Sequence, residues 1–296
     1  MRVVTLLPAA TEIVAALGAA DQLVGISHEC DYPGWVQHLP RVTATSVDAH
    51  APSLVIDAEV RRLRSSGRPV IAIDADQLAT LAPDLIITQE LCQVCAVSDG
   101  EVHQLASFLG GRPKVMSLAA RDLAGIWNDI RNVGAILDLG AEAEELMLGL
   151  QSRLRRLRGS ATGSKAKVLC IEWLDPPYLA GHWVPELVEF AGGKDIGATP
   201  GSHSARCEWK ELKQRRPDHI VVMLCGFGVR RSRAELDALQ DPDALELMGQ
   251  TPTWIIDGNA YTSRPGPRVV DGAARIQSAL LDQPAPDVES WQPVVC

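Results

Sequence analysis

The chain is 296 residues long, at the upper end of the roughly 250 to 300 residues that one hydrophobic core supports, so two lobes are expected. Hydrophobic residues make up 46% and charged residues 22%, which excludes a disordered chain. Lys plus Arg is 28 and Asp plus Glu 37, a net charge of −9, which excludes a general binder of nucleic-acid backbones.

The predicted elements alternate strand and helix. Strands are expected at Val3 to Leu7, Leu23 to Ile26, Pro69 to Ile73, Leu85 to Thr88 and Lys114 to Ser117, and helices at Thr11 to Leu17, Ser53 to Ser65, Asp76 to Leu81 and Asp99 to Leu109. Ser98 and Glu101 have the spacing of a capping box that opens the last of these. Arg121 to Arg158 contains no proline and reads as helix with a break near Asp138 to Gly140; as continuous helix, Glu142 to Arg158 would run about 25 Å. Gly159 to Ser164 is a loop linker. A second series follows, with strands at Lys167 to Ile171, His219 to Leu224 and Thr253 to Asp257, and helices at Val184 to Ala191, Glu208 to Arg215, Ala234 to Met248 and Pro267 to Leu281. The expected fold class is α/β: two doubly wound α/β lobes joined by a long helix, with boundaries at 1–118, 119–164 and 165–296. A helical strut in place of a flexible tether predicts modest lobe motion, and the proline-rich tail from Gln283 is expected to be peripheral.

No apolar stretch approaches the ~20 residues of a membrane span, so no membrane insertion is expected. The opening run Met1 to Leu7 stops at Pro8, short of a secretion signal, which reads as cytoplasmic as written and periplasmic if the chain is a processed form. Cysteines at 30, 92, 95, 170, 207, 225 and 296 are seven in number; an odd set in a chain this large fits free thiols better than a disulfide framework. The basic clusters at Arg61 to Arg64, Arg153 to Arg158 and Arg230 to Arg233 are expected on solvated helical faces or loops.

Ligands of doubly wound sheets meet the loops at the carboxyl ends of the strands. Those loops are rich here: Pro8 to Glu12, Ser27 to Pro33, Gln89 to Cys95, Glu172 to Tyr178, Gly181 to Trp183, Cys225 to Gly228 and Asn259 to Pro265. Only 4% of the chain is aromatic, yet Trp173, Tyr178 and Trp183 fall within eleven positions, which favours a binding wall over hinge packing. Cys92 and Cys95 have zinc-knuckle or redox spacing without a second pair; with His28 and Cys30 in a neighbouring loop they form a candidate metal set, and buried inert thiols stay open as the alternative. His50, His103 and His219 have no partner motif and read as surface or capping residues. Glu172 and Asp175 lack a partner base and read as strand-end polar groups. No nucleophile elbow, Walker loop or complete dinucleotide fingerprint is present; Cys225-Gly226-Phe227-Gly228 carries only the first half of the last.

Leu6-Leu7-Pro8-Ala9-Ala10-Thr11-Glu12-Ile13, Ser27-His28-Glu29-Cys30-Asp31-Tyr32-Pro33, Pro83-Asp84-Leu85-Ile86-Ile87, Asp175-Pro176-Pro177-Tyr178, Ala191-Gly192-Gly193 and Gly258-Asn259-Ala260-Tyr261 with Arg264-Pro265-Gly266-Pro267-Arg268 together carry a resemblance. Over nearly its whole length the chain resembles the cobalamin-binding branch of the class III periplasmic binding proteins, substrate receptors of ABC importers. The resemblance implies two α/β lobes joined by one long helix, a shallow interlobe cleft, no resident cofactor and a corrinoid, cobalamin first, as ligand. It puts Tyr32 and Tyr178 on ligand-contact positions with Trp183 and Tyr261 near them. The full expected ligand set is Pro8, His28, Tyr32, Glu90, Trp173, Tyr178, His182, Trp183, Phe227, Tyr261 and Arg264. An ABC importer is the implied partner, with docking carboxylates at Asp76 and Glu211; the family's glutamate is Asp at 76, and Lys210 precedes Glu211. Two rival functions are carried: an iron-chelate or direct metal binder using His28, Cys30, Cys92 and Cys95, and a thiol-dependent enzyme using the same cleft. The expected function is non-enzymatic corrinoid binding.

Overall fold

The computed structural model describes residues 1–89, 102, 106, 113–160, 165–283 and 285–293. The chain forms two compact units: unit 1 is Met1–Ala51, Val55–Ala120 and Ala124–Leu148, and unit 2 is Pro52–Leu54, Arg121–Leu123 and Gly149–Cys296.

The first half runs β1 (Val3–Thr5), α1 (Pro8–Ala16), β2 (Leu23–Ile26), β3 (Thr43–Thr45), α2 (Ser53–Ser65), β4 (Ile71–Ile73), α3 (Ala75–Leu81), β5 (Leu85–Gln89) and β6 (Lys114–Leu118). The main sheet of unit 1 has the order β2-β1-β5-β6 with every pair parallel. All five residues of β5 are buried, as a central strand covered on both faces requires. On one face Val4, Leu6 and Ile86 pack with Val42, Ile71, Leu78, Leu81 and Val102. The strand expected at Pro69 to Ile73 does not join this sheet. It shrinks to Ile71–Ile73 and pairs antiparallel with β3, and its Ile71-buried, Ala72-exposed alternation is that of a half-covered ribbon. The helix expected at Asp99 to Leu109 lies outside the described residues except at 102 and 106.

Two helices follow, α4 (Leu123–Ile136) and α5 (Gly140–Ser160). The break falls where the sequence puts it: Asp138 takes a left-handed φ of 59°, and the Leu139 N–H returns to the Gly134 carbonyl at 2.8 Å, closing the last turn of α4. Unit 1 ends within α5, at Leu148.

Unit 2 continues with β7 (Lys167–Leu174), β8 (Pro177–Leu179), α6 (Val184–Phe190), β9 (Lys194–Asp195), β10 (Ala205–Arg206), α7 (Trp209–Gln214), β11 (His219–Val222), α8 (Val229–Asp237), α9 (Pro242–Gln250), β12 (Thr253–Ile256), α10 (Gly258–Tyr261), α11 (Val269–Leu280) and β13 (Val288–Trp291). Its sheet runs β10-β8-β7-β11-β12-β13, with β9 also on β7; β7, β11 and β12 are parallel, while β8, β10 and β13 run antiparallel to their neighbours.

Three expectations are corrected in this unit. The strand expected to stop at Ile171 continues to Leu174 because a hairpin pairs it with β8, which puts Trp173 on a strand and not in a loop. The single helix expected at Ala234 to Met248 is two, since the Asp241 carboxylate caps α9 by accepting from the Asp243 and Ala244 N–H at 2.9 and 3.0 Å, with Pro242 in the first turn. The tail is not peripheral: β13 pairs along the whole of β12 and Trp291 is 3% exposed.

Candidate functional site

In unit 1 the polar residues at the carboxyl ends of the strands form a buried chain. Pro8 opens α1 directly after β1, which turns Thr11 back against the strand. The hydroxyls of Thr5 and Thr11 lie 2.6 Å apart, and Thr11 Oγ1 is 3.0 Å from the Cys30 sulfur. Cys30 is fully buried, so it is a small apolar side chain with a threonine partner. The His28 Nδ1 is 2.7 Å from Thr43 Oγ1, which also accepts the His28 main-chain N–H at 2.9 Å. Burial first, and then the Arg41 cation, hold the His28 pKa below its ordinary value, so the ring is neutral at pH 7. The following segment, Tyr32 to Trp35, is presented outward: Tyr32 is 46% and Trp35 42% exposed. Trp35 was missed in the sequence, although an aromatic three residues beyond Tyr32 was a signal.

The expected metal set finds no support in the described residues. Among them, no group of three or more His, Cys, Asp or Glu side chains gathers as an ion requires. Glu90, Cys92, Cys95 and His103 lie outside the described residues.

In unit 2 the β7–β8 hairpin and the loop after β11 build an aromatic group. Trp173 pairs across the hairpin with Tyr178, and its ring lies 5.4 Å from Phe227, tilted by 44°. Trp173 Nε1 is buried with no hydrogen-bond partner among the described residues. Arg231 places its guanidinium 4.9 Å from the centre of the Phe227 ring and pairs with Glu235 at 2.6 Å. Read from sequence as part of a solvated cluster, Arg231 instead covers an aromatic face. Phe227 is therefore only 7% exposed.

Three other expected ligand residues have internal duties. Trp183 is 5% exposed and its indole N–H donates to the Thr262 carbonyl at 2.8 Å, which makes it a packing residue of unit 2 and not an open wall. Tyr261 sits near two guanidiniums, Arg275 at 4.9 Å and Arg268 at 5.9 Å from its ring, and its hydroxyl donates to Asp287 at 2.9 Å. Burial and that carboxylate push its pKa up. Arg264 is 5% exposed and donates to the Asn259 side-chain oxygen at 2.8 Å. His182 lies in the turn between β8 and α6, half-buried. Asp76 on α3 and Glu211 on α7 are both exposed.

A hollow of about 560 Å³ also marks unit 2, lined by His219, Trp254, Asp282 and Trp291 among others. It sits at the first residues of β11 and β12, away from the carboxyl ends where ligands of such sheets bind, so it is set aside as the solute site.

Comparison with known proteins agrees with this architecture. The chain is 22% identical over 289 residues to a vitamin B12-binding protein of Vibrio cholerae serotype O1, covering 94% of this chain and 88% of that one. A vitamin B12-binding protein of Vibrio parahaemolyticus is 21% identical over 280 residues. Among solved structures, a periplasmic heme binding protein from Pseudomonas aeruginosa aligns with a TM-score of 0.74 at 20% identity, covering 99% of both chains. The periplasmic vitamin B12 binding protein of Vibrio cholerae aligns with a TM-score of 0.61 at 22% identity, covering 95% of this chain and 96% of that one. All of these are binding proteins, and the reading of a thiol-dependent enzyme falls with them. Because the family model for periplasmic binding proteins matches residues 3–255, the chain belongs to the periplasmic binding protein family and is a solute-binding protein, not an enzyme.

Proposed function

We propose that the protein binds a corrinoid, with cobalamin as its solute, and delivers it to an ABC importer. The observation that carries this reading is the match to vitamin B12-binding proteins along 94% of the chain. The chemistry of the carboxyl-end loops supports it. A corrin ring offers broad faces, and each unit by itself carries aromatic surface able to meet one: Tyr32 and Trp35 after β2 in unit 1, and Trp173 and Tyr178 on the β7–β8 hairpin in unit 2. The solute is cargo, so no resident cofactor is needed. The exposed carboxylates of Asp76 and Glu211 are the groups proposed to meet the importer's cations. The relatives' periplasmic setting is proposed for this chain too, and cell fractionation tests it. Among the described residues no helix is long and apolar enough to cross a membrane.

A second reading is favoured by one specific observation: the heme binding protein of Pseudomonas aeruginosa aligns at a TM-score of 0.74, above the 0.61 of the B12 binding protein. Both ligands are flat metal-bearing tetrapyrroles, so the same aromatic faces serve either. Titration of the purified chain with cyanocobalamin by calorimetry, and with hemin by absorbance, separates the two. One equivalent of cyanocobalamin bound, with Tyr32→Ala and Tyr178→Ala each costing on the order of 1 to 3 kcal/mol of affinity, is expected. Saturable hemin binding without cyanocobalamin binding would transfer the assignment to heme, and no binding of either would sink both.

A further inference from the structure

The loop that carries Tyr32 and Trp35 leaves the end of β2 and returns to it. Its neck is closed at Ile26, whose N–H donates to the Pro40 carbonyl and whose carbonyl accepts the Val42 N–H, each at 2.9 Å, so Arg41 is pinned beside the last residue of the strand. Inside the loop Ile26, Cys30 and Val36 pack together, with Leu39 against them. The Arg41 side chain runs across the neck, where its Nη1 donates to the Ser27 carbonyl at 3.4 Å and also to the His28 carbonyl. One guanidinium nitrogen is thus tied to the loop. Nε and Nη2, the two donors that share another edge of the guanidinium plane, have no partner among the described residues, and the side chain is exposed. Arg61, Arg62, Arg131 and Arg153 each pair with a carboxylate, whereas Arg41 makes no ion pair among the described residues.

We propose that Arg41 is a specificity-determining residue, a fixed contact for an oxyanion carried at the rim of the tetrapyrrole solute. The free Nε–Nη2 edge offers two parallel N–H donors, the fork that a phosphate or carboxylate accepts bidentately and that a lysine does not provide. Because Nη1 is already tethered, the side chain has less freedom to lose on binding than an unattached surface arginine. The position agrees with the chemistry. Arg41 sits at the carboxyl end of β2, where ligands of such sheets bind, and the same loop presents Tyr32 and Trp35 at 46% and 42% exposure. One segment therefore supplies both ring surface for a flat macrocycle and a cation for a charged group at its edge. In cobalamin that group is the phosphodiester of the nucleotide loop; in heme it is a propionate. The inference rests on the tetrapyrrole reading and adds to it a requirement for the anionic substituent.

The test titrates wild type, Arg41→Gln and Arg41→Lys by calorimetry with cyanocobalamin and with dicyanocobinamide, which keeps the corrin ring and lacks the nucleotide and its phosphate; hemin is titrated by absorbance. Arg41→Gln is expected to weaken cyanocobalamin at least ~10-fold and to leave dicyanocobinamide within about twofold, with Arg41→Lys between wild type and Arg41→Gln. If hemin is the solute that binds, Arg41→Gln is expected to weaken it by the same factor. Retained dicyanocobinamide affinity shows that the variant is folded. Where the variants fail to fold, wild type alone decides: between ~0.05 and ~0.5 M sodium chloride, cyanocobalamin binding is expected to weaken and dicyanocobinamide binding to stay constant. Equal losses for the two corrinoids, or unchanged affinity for the solute that binds, would overturn the assignment of Arg41 while leaving the tetrapyrrole reading in place. Wild type that binds none of the three would sink both.

Discussion

The Asp129 carboxylate accepts the main-chain N–H of Ala120 at 3.0 Å and of Ala119 at 3.2 Å, fastening α4 to the segment that leads out of β6. The side chain is 6% exposed, and burial pushes its pKa up to about 6 while the two N–H bonds pull the other way. Asp129→Ala leaves the buried Ala120 N–H unpaired and frees the more exposed Ala119 N–H to solvent, an expected loss of about 1 to 3 kcal/mol in urea unfolding. Asp129→Asn keeps an acceptor oxygen and removes the buried charge, so it is expected to cost less than about 1 kcal/mol at pH 7. Equal losses in the two variants would show that the carboxyl does not act through these bonds.

Asp195 in unit 2 repeats the arrangement, accepting the Gly197 and Ala198 N–H at 2.6 and 3.0 Å, and burial pushes its pKa up to about 6 as well. A folded-state pKa raised above the unfolded value means that the native protein holds a proton between about pH 4 and 6 that the unfolded chain has released. The stability this contributes is full below pH 4 and is lost as pH rises through 6. His28, His182 and His219 have lowered pKa values and act with the opposite sign, losing stability as pH falls through their range. The measurement is therefore a difference. Wild type minus Asp195→Asn should gain roughly 1 to 3 kcal/mol of unfolding free energy between pH 7.5 and pH 5. A flat difference would mean that Asp195 is ionised throughout.

The parallel strands were legible because burial on both faces writes them as unbroken apolar runs: Leu23–Ile26 matches residue for residue, and Leu85–Gln89 gains one residue over the expected strand. Helix α2 was legible from its periodicity, with Ser53 and Ser65 as its observed ends. The antiparallel strands were not. β8, β10 and β13 hold two to four residues each, too short to show a period, and β13 follows a stretch with the prolines of a loose tail. At the candidate site the sequence marked which loops carry polar and aromatic residues. It did not mark which rings are consumed internally, because the partner of Trp183 is the carbonyl of Thr262, 79 residues away, and a carbonyl leaves no side-chain signature.

Trp183 separates a packing role from a solute role. Trp183→Phe removes the indole N–H and leaves the Thr262 carbonyl unpaired, an expected loss of about 1 to 2 kcal/mol in unfolding. Trp183→Ala opens a cavity in unit 2 and should cost ~3 to 5 kcal/mol. With the ring only 5% exposed, cyanocobalamin affinity of the folded Trp183→Phe protein should stay within about twofold of wild type by calorimetry. A tenfold loss of affinity without loss of stability would return Trp183 to the binding wall.

Tyr32 is the converse case. At 46% exposure the ring contributes little to the fold, so Tyr32→Ala should change the unfolding free energy by no more than about 0.5 kcal/mol. The same change should weaken cyanocobalamin binding about tenfold or more if the proposed ring-face contact is made. Unchanged affinity in a normally stable variant would remove Tyr32 from the site, and the exposed Trp35 would then be the unit 1 residue to replace next.

The edge strand β13 closes the sheet of unit 2, and Trp291 is what fixes it there. Its ring is 3% exposed opposite Thr253, and its indole N–H donates to the Asp237 carboxylate on α8 at 2.8 Å, so one side chain joins strand, sheet and helix. Trp291→Ala should therefore cost ~3 to 5 kcal/mol in urea unfolding. The neighbouring ion pair joins Arg233 of α8 to Glu289 of the same strand at 2.5 Å, yet its side chains are 35% and 42% exposed, so Glu289→Gln should change stability by less than about 0.5 kcal/mol. Chain ended at Gln283 loses the strand altogether and leaves the backbone edge of β12 without a partner, an invitation to intermolecular pairing. That shortened protein is expected to self-associate in sedimentation, while the Glu289 variant stays as the wild type. If Trp291→Ala unfolded no more readily than Glu289→Gln, β13 would be an ornament on the sheet, and the tail would be dispensable as its proline content first implied.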